Sequence, residues 1–324
     1  SLVGSEMCIR DSQYSQIGVA GINDTTAGAT TVSSAIKAKL LSDAIDIKQA
    51  TDVNTADKVQ ALADAVNAVM RAANGMISGA GALTKDQLLL LGIKGVTDIN
   101  LSKVLAAIDV TNDNGTGVDT LEHLQTVVNN AVNIVNTAMQ VIVDFANSNK
   151  VSAPNLPTPG ITVPGVSTYE TAGVTGVSAT NVASINDALM TDFVDGSKVS
   201  AVADLQAIID TYTTVLALAD GTANNATIAQ NFTVAQLSGI GVDIQGLDGI
   251  NPTNRLALLK SLIDGQKSTG VDTITEINNL VRIANAIQNK ASGSQVTNLS
   301  ATDFATLGIE GVSTSNSVSY THLT

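Results

Sequence analysis

The sequence predicts a mainly α-helical chain, an array of imperfect helical repeats set in two lobes. Three observations lead there. Apolar residues recur at three-and-four spacing, a glycine motif returns along the whole chain, and four of the five prolines crowd between Pro154 and Pro164. Each element follows from one of these.

The glycine motif reads Leu91-Gly92-Ile93-Lys94-Gly95-Val96 and returns as Leu307-Gly308-Ile309-Glu310-Gly311-Val312. Looser copies begin at Ile17, Ala172 and Ile240, and the last of these carries an insertion before Gly249-Ile250. An asparagine follows the second glycine by five positions at Asn100, Asn181, Asn254 and Asn316. Upstream, Leu83-Thr84-Lys85-Asp86-Gln87-Leu88 matches the segments beginning at Phe232 and Leu299. Downstream, Val53 to Gln60 matches Val118 to Gln125, Val199 to Gln206 and Val271 to Asn278. Three blocks recurring in one order predict a unit of short helix, glycine turn, middle helix, loop and long helix. A lone unit of this kind cannot bury its long helix, but stacked units can.

Within a unit, Thr84 and Ser300 suit the N-cap of the short helix. Gly92 suits the left-handed residue that ends it, with Ile93 folding back over Leu88 as Ile309 would over Phe304. Thr97 and Ser178 are expected to start the middle helix, whose apolar face is Leu101, Val104, Leu105 and Ile108. Residues 112–117 read as a turn by composition. Asp119 with Glu122, and Thr273 with Glu276, read as capping boxes. The long helix keeps Leu121, Leu124, Val128, Ala131, Val135, Ala138, Ile142 and Phe145 on one face.

The expected organisation is a leader at 1–12, helical repeats at 13–150 (one partial and one complete unit) and a Pro-rich linker at 151–168. Two units follow at 169–297, a further unit begins at 298–317, and a tail occupies 318–324. SLVGSEMCIRDS at the start and VSYTHLT at the end resemble translated sequencing-adapter DNA found at the ends of metagenomic contigs, and on that resemblance both are artefacts. They contain Cys8, the one cysteine, and His322. The chain between them has His123 alone, so thiol chemistry is excluded from it.

Hydrophobic residues make up 44% of the 324 residues but aromatics only 2%, and Trp is absent. A core of Ala, Val, Leu and Ile is expected, each residue burying little. The net charge of −13 argues against nucleic acid, whose phosphates call for clustered Lys and Arg. No apolar run is long enough to predict membrane insertion.

Candidate chemistry is sparse. Asp109, Asp113 and Glu122, around Gly115, are the candidate calcium ligands. With Glu122 as the twelfth loop position, however, Thr116 stands where an EF-hand needs glycine, and the stretch reads better as a plain turn. His123 has no nucleophile at a recognised spacing and falls where other copies place Lys58, Asp204 and Glu276, on the expected solvent face. The turn between helices resembles a helix-hairpin-helix, but its copies carry Lys94 with Asp98, Asp243 with Asp248, and Glu310, and no basic cluster flanks them. No phosphate-binding, nucleophile-elbow or metalloprotease motif occurs. An enzyme is not expected, and no catalytic or cofactor-binding residues are assigned.

The pattern LTxDQLxxLGIxGV…N…GVDTLxxLQ resembles repeat regions of very large secreted or surface adhesin-like proteins of aquatic bacteria. The resemblance implies an extracellular or cell-surface location and a non-catalytic structural or adhesive role. The implied partners are neighbouring repeats of the same chain and a cell-surface or matrix ligand. The alternative is an extracellular module that binds calcium or a glycan.

Overall fold

The computed structural model describes residues 11–27, 30–148, 159–222, 231–245, 247, 252–293 and 299–315. The expected artefactual segments lie almost wholly outside these residues, as do Asn316, Gly249, Asp248 and 151–158 of the Pro-rich stretch. Helix covers 59% and strand 3%, so the fold is mainly α, with thirteen α-helices among the described residues.

The chain divides into two compact units, 1–137 and 138–324. The first unit holds α1 (Asp11–Gln16), a small hairpin of β1 (Thr25–Ala27) and β2 (Thr30–Val32), α2 (Ser34–Asp46), α3 (Ala56–Ala73), α4 (Lys85–Leu90) and α5 (Leu101–Asp109). The hairpin is antiparallel, with Thr25 opposite Val32. α6 (Leu121–Ser148) gives its residues up to 137 to this unit and the rest to the second. In the first unit α3 packs against α2, α4 and α5.

The second unit continues with α7 (Val166–Ala172), α8 (Val182–Leu189), α9 (Val202–Leu218), α10 (Val234–Gly239), α11 (Pro252–Asp264), α12 (Ile274–Ala291) and α13 (Ala301–Thr306). Here α9 packs against α8, α10 and α11, while α12 lies on α8 and α11. α7 starts inside the stretch expected to be linker, immediately after Pro164-Gly165.

The expected apolar faces are the buried ones. Leu124, Val128, Ala131, Val135, Ala138, Ile142 and Phe145 of α6 are all buried, as are Val104, Leu105 and Ile108 of α5. The core composition corrects one expectation. Tyr14, Phe145, Tyr169, Tyr212 and Phe232 are buried beside the small aliphatics. The few aromatics thus go to the interior, where each removes far more apolar area from water than an Ala or Val.

Helix starts follow the capping chemistry, with two corrections. Thr84 and Gln87, Thr233 and Gln236, Ser300 and Asp303, and Thr273 and Glu276 form reciprocal capping boxes. Asp119 and Glu122 do not. The cap of α6 is Thr120, whose Oγ1 accepts the His123 amide at 3.1 Å, one residue later than expected. Thr120 and Thr273 hold the same place in the recurring block, and the register error came from the acid next to the hydroxyl. The middle helices also start later than expected. Thr97 and Ser178 open a turn, and the helices begin at Leu101 and Val182.

Candidate functional site

The residues that recur in the sequence meet at the glycine turns. Five short helices end in the same way. The first motif glycine donates its amide three residues back, and the next residue donates five residues back. Ile93 N–H reaches Leu88 O at 3.0 Å, Val174 N–H reaches Tyr169 O at 3.2 Å, and Val242 N–H reaches Leu237 O at 3.0 Å. Val19 to Tyr14 and Ile309 to Phe304 repeat the bond at 3.0 and 2.9 Å. This closure needs φ > 0, and Gly18, Gly92, Gly173, Gly241 and Gly308 supply it with φ of 83°, 93°, 91°, 92° and 72°.

A side-chain amide then braces the turn. Gln125 on α6 accepts the Lys94 N–H at 2.8 Å and donates to Lys94 O at 3.0 Å. Gln206 on α9 does the same to Thr175, at 2.9 and 3.0 Å. Gln60 on α3 does so to Ala20, at 2.7 and 3.3 Å. Asn278 on α12, one methylene shorter, accepts the Asp243 N–H at 2.8 Å. Each glutamine is itself held by a residue one helical turn on: Asp64, Asn129 and Asp210. A primary amide offers a donor and an acceptor side by side, so it can pair with one residue's N–H and C=O as a strand would.

The second glycine of the turn is tied down separately. Asn100 Nδ2 donates to Gly95 O at 2.9 Å, and Asn181 Nδ2 to Gly176 O at 2.8 Å. In the first turn the donor is Lys37, nearly fully buried, whose Nζ reaches Gly21 O at 3.3 Å and Asn23 O at 2.9 Å. In four copies the N–H between the glycines, which a helix-hairpin-helix would offer to phosphate, is already given to a glutamine or asparagine oxygen.

The two units differ in charge at matching positions. Leu121 N–H donates to Asp43 of α2 at 3.2 Å, and Ile274 N–H donates to Asp187 of α8 at 2.6 Å. In the first unit Asp119 binds Lys39 at 2.8 Å and His123 at 2.7 Å. Burial opposes its charge, but those hydrogen bonds outweigh burial and hold the carboxyl below its usual range. In the second unit the corresponding residues are Asp272, Ala183 and Glu276, so the cations are gone. Burial, opposed by the Ile274 amide and helped by Asp272, raises the Asp187 carboxyl. Burial and Asp272 likewise raise Glu276 against its bonds with Thr273. Tyr212 is pushed up too, chiefly by burial, and its hydroxyl donates to Val271 O at 3.1 Å.

Beside these acids the second unit has an open groove of about 320 Å³. Its walls mix polar residues, including Thr180, Ser184, Thr213, Thr269 and Asp272, with the apolar Leu216 and Ala217. The Thr213 hydroxyl is buried without a hydrogen-bond partner.

The calcium candidates are placed as follows. Asp109 ends α5, Asp113 is exposed in the turn, and Glu122 is exposed in the first turn of α6. The turn between them closes on itself, Gly115 N–H donating to Asn112 O at 2.8 Å and Thr116 N–H to Asn114 Oδ1 at 3.1 Å. Among the described residues no three His, Cys, Asp or Glu side chains gather into a cation-holding group. His123 is exposed and paired with Asp119. The glutamines are the residues that sequence reasoning missed as a group. They stood in plain view as the last letter of the downstream block.

No protein family, curated protein or solved structure matches the chain.

The raised carboxyls carry a pH prediction. A group whose folded pKa lies above its unfolded value binds protons more tightly when folded, so stability rises as pH falls through the folded pKa. From pH 7 down toward the carboxylate range near about 4, Asp187 and Glu276 should contribute a gain to the second unit. Asp187→Asn keeps an acceptor for Ile274 N–H, so it should raise the melting temperature at pH 7 and reduce the gain on acidification. Asp187→Ala should lower the melting temperature at both pH values. Thermal scans of the three proteins across this range decide it, and an Asn variant with the wild-type pH profile would refute it.

Proposed function

We propose that the chain is a non-catalytic structural or adhesive repeat region of a large bacterial surface or secreted protein. The observation that carries this reading is the use made of the recurring residues. The glycines, Gln60, Gln125, Gln206, Asn278, Asn100 and Asn181 all hold backbone in place. A repeat kept for catalysis would keep its reactive side chains in register, whereas this one keeps its turn closures in register. The resemblance to adhesin-like repeat regions supplies the surface location and the implied partners, which are neighbouring repeats and a cell-surface or matrix ligand.

The test compares fold and binding in the same variants. Beads coated with the chain should adhere to cells or matrix, and brace variants should lose adhesion only as they lose thermal stability. His123→Ala should change neither, because His123 is solvated and its partner Asp119 keeps Lys39. A His123→Ala protein that stays folded but loses a measurable activity would overturn the non-catalytic reading.

The groove in the second unit favours a second reading, an extracellular module that binds calcium or a glycan. Hydroxyls and a carboxylate along one groove suit a polyhydroxylated ligand. Binding on a glycan array that Asp272→Asn with Thr213→Val abolishes would favour it, as would a rise in melting temperature with millimolar calcium.

A further inference from the structure

We infer that the fifth glycine turn, residues 307–311, is an open seat for an amphipathic helix that presents an apolar residue followed by glutamine. The four other turns define what fills such a seat. In each, the brace stands five residues after the position preceding a long helix: Gln60 after Thr55, Gln125 after Thr120, Gln206 after Ala201, and Asn278 after Thr273. The residue before the brace is apolar and buried: Val59, Leu124, Leu205 and Ile277. The same helix also covers the second glycine. A Cβ placed on Gly95 would meet Val132 of α6 at 3.9 Å, and one on Gly176 would meet Ile209 of α9 at 3.5 Å.

The fifth turn is built to the same plan and is held from behind. Ser300 caps α13 with Asp303, and Arg282 of α12 makes a two-pronged ion pair with Asp303. Gln266 Nε2 donates to Thr306 O at 2.9 Å, and the Ile309 N–H closes on Phe304 O. Gly308 and Gly311 have φ of 72° and 81°. The Ile309 side of the turn is uncovered. Ile309 is 46% exposed, against 2%, 2%, 3% and 1% for Val19, Ile93, Val174 and Val242 at the same position. Among the described residues no side-chain amide is hydrogen-bonded to the Glu310 backbone, unlike Lys94, Thr175, Ala20 and Asp243 in the other turns. A preformed turn with one face uncovered loses little freedom on binding, which favours association. The occupant is a helix of the chain's own recurring type, with a hydroxyl N-cap, an apolar residue at the fourth position after it and glutamine at the fifth.

The probe is a synthetic peptide of residues 118–137, fluorescently labelled and titrated into the intact chain. It should bind saturably. A Gln125→Ala peptide should bind about fivefold more weakly or worse, as expected for the loss of a hydrogen bond or two. A Glu310→Pro chain, lacking the N–H that glutamine accepts from, should lose the wild-type peptide to a similar degree. Amide exchange at Glu310 should slow when the peptide is bound, which reads the seat directly without a substitution in the chain. No saturation up to about 1 mM, equal affinity for both peptides, or unchanged exchange at Glu310 would overturn the inference.

Discussion

Gly241→Ala is expected to lower stability by about 3 kcal/mol, the largest loss among the turn glycines. Two effects combine there. At φ of 92° an L-residue is strained by about 1–2 kcal/mol. The new Cβ would also lie 2.8 Å from Thr191 Cβ, with the Thr191 hydroxyl closer still. Thr191 cannot rotate away freely. It is β-branched, and its Oγ1 donates to Ala188 O at 2.9 Å. Gly92→Ala meets only the tip of Ile47, a side chain 55% exposed and free to swing aside. It should cost about 1–2 kcal/mol. Gly308→Ala meets nothing within 4 Å, so strain acts alone and about 1 kcal/mol is expected. Urea denaturation of the three variants should give the order Gly241, Gly92, Gly308. Equal losses would show that backbone strain alone matters, and a neutral Gly308→Ala would remove the strain argument itself.

The helical class, the buried faces and the left-handed glycines were legible because each has a local cause. Period 3.6 reports a buried stripe, and a glycine between two apolar residues after a short helix reports a left-handed closure. Thr84 and Ser300 were legible as caps for the same reason. What was not legible depends on contacts between distant residues. Gln125 and Lys94 are 31 residues apart, and glutamine on a helix surface has no local preference that marks it as a brace. Its recurrence was visible, but its partner was not. The start of α6 was misread because Asp119 sits beside Thr120, and two neighbouring cap formers look alike in sequence; in the matching block Thr273, not Asp272, is also the cap. The β1–β2 hairpin at 25–32 was missed as well. Among the described side chains of its threonine-rich strands only Val32 is buried, and threonines leave almost no alternating apolar pattern. The groove was invisible because its walls come together from α8, α9 and the segment before α12, which are far apart in sequence, and no motif marks their meeting.

Replacing the braces should show how much of each unit they support. Gln125→Leu removes both hydrogen bonds to Lys94 while keeping most of the side-chain volume. The freed Lys94 N–H and C=O are exposed enough to reach water, so each bond counts near the lower end of its usual range. A loss of about 1–2 kcal/mol is expected. Gln125→Glu separates the two bonds. A carboxylate still accepts the Lys94 N–H at 2.8 Å but cannot donate to Lys94 O. It should lie between wild type and Leu at neutral pH and move toward wild type in acid, where the protonated carboxyl regains a donor. Gln60→Leu acts on a different turn, through different partners, in the same unit. The double variant Gln60→Leu with Gln125→Leu should therefore lose roughly the sum, about 2–4 kcal/mol, because the two braces share no residue. That is a large part of the stability of an ordinary domain. Asn278→Leu in the second unit, which breaks one bond in place of two, should cost about half as much as Gln125→Leu. Chemical denaturation of these variants, with circular dichroism as the readout, settles the order. If Gln125→Leu were neutral, the recurrence of glutamine at this position would have a cause other than bracing the turn.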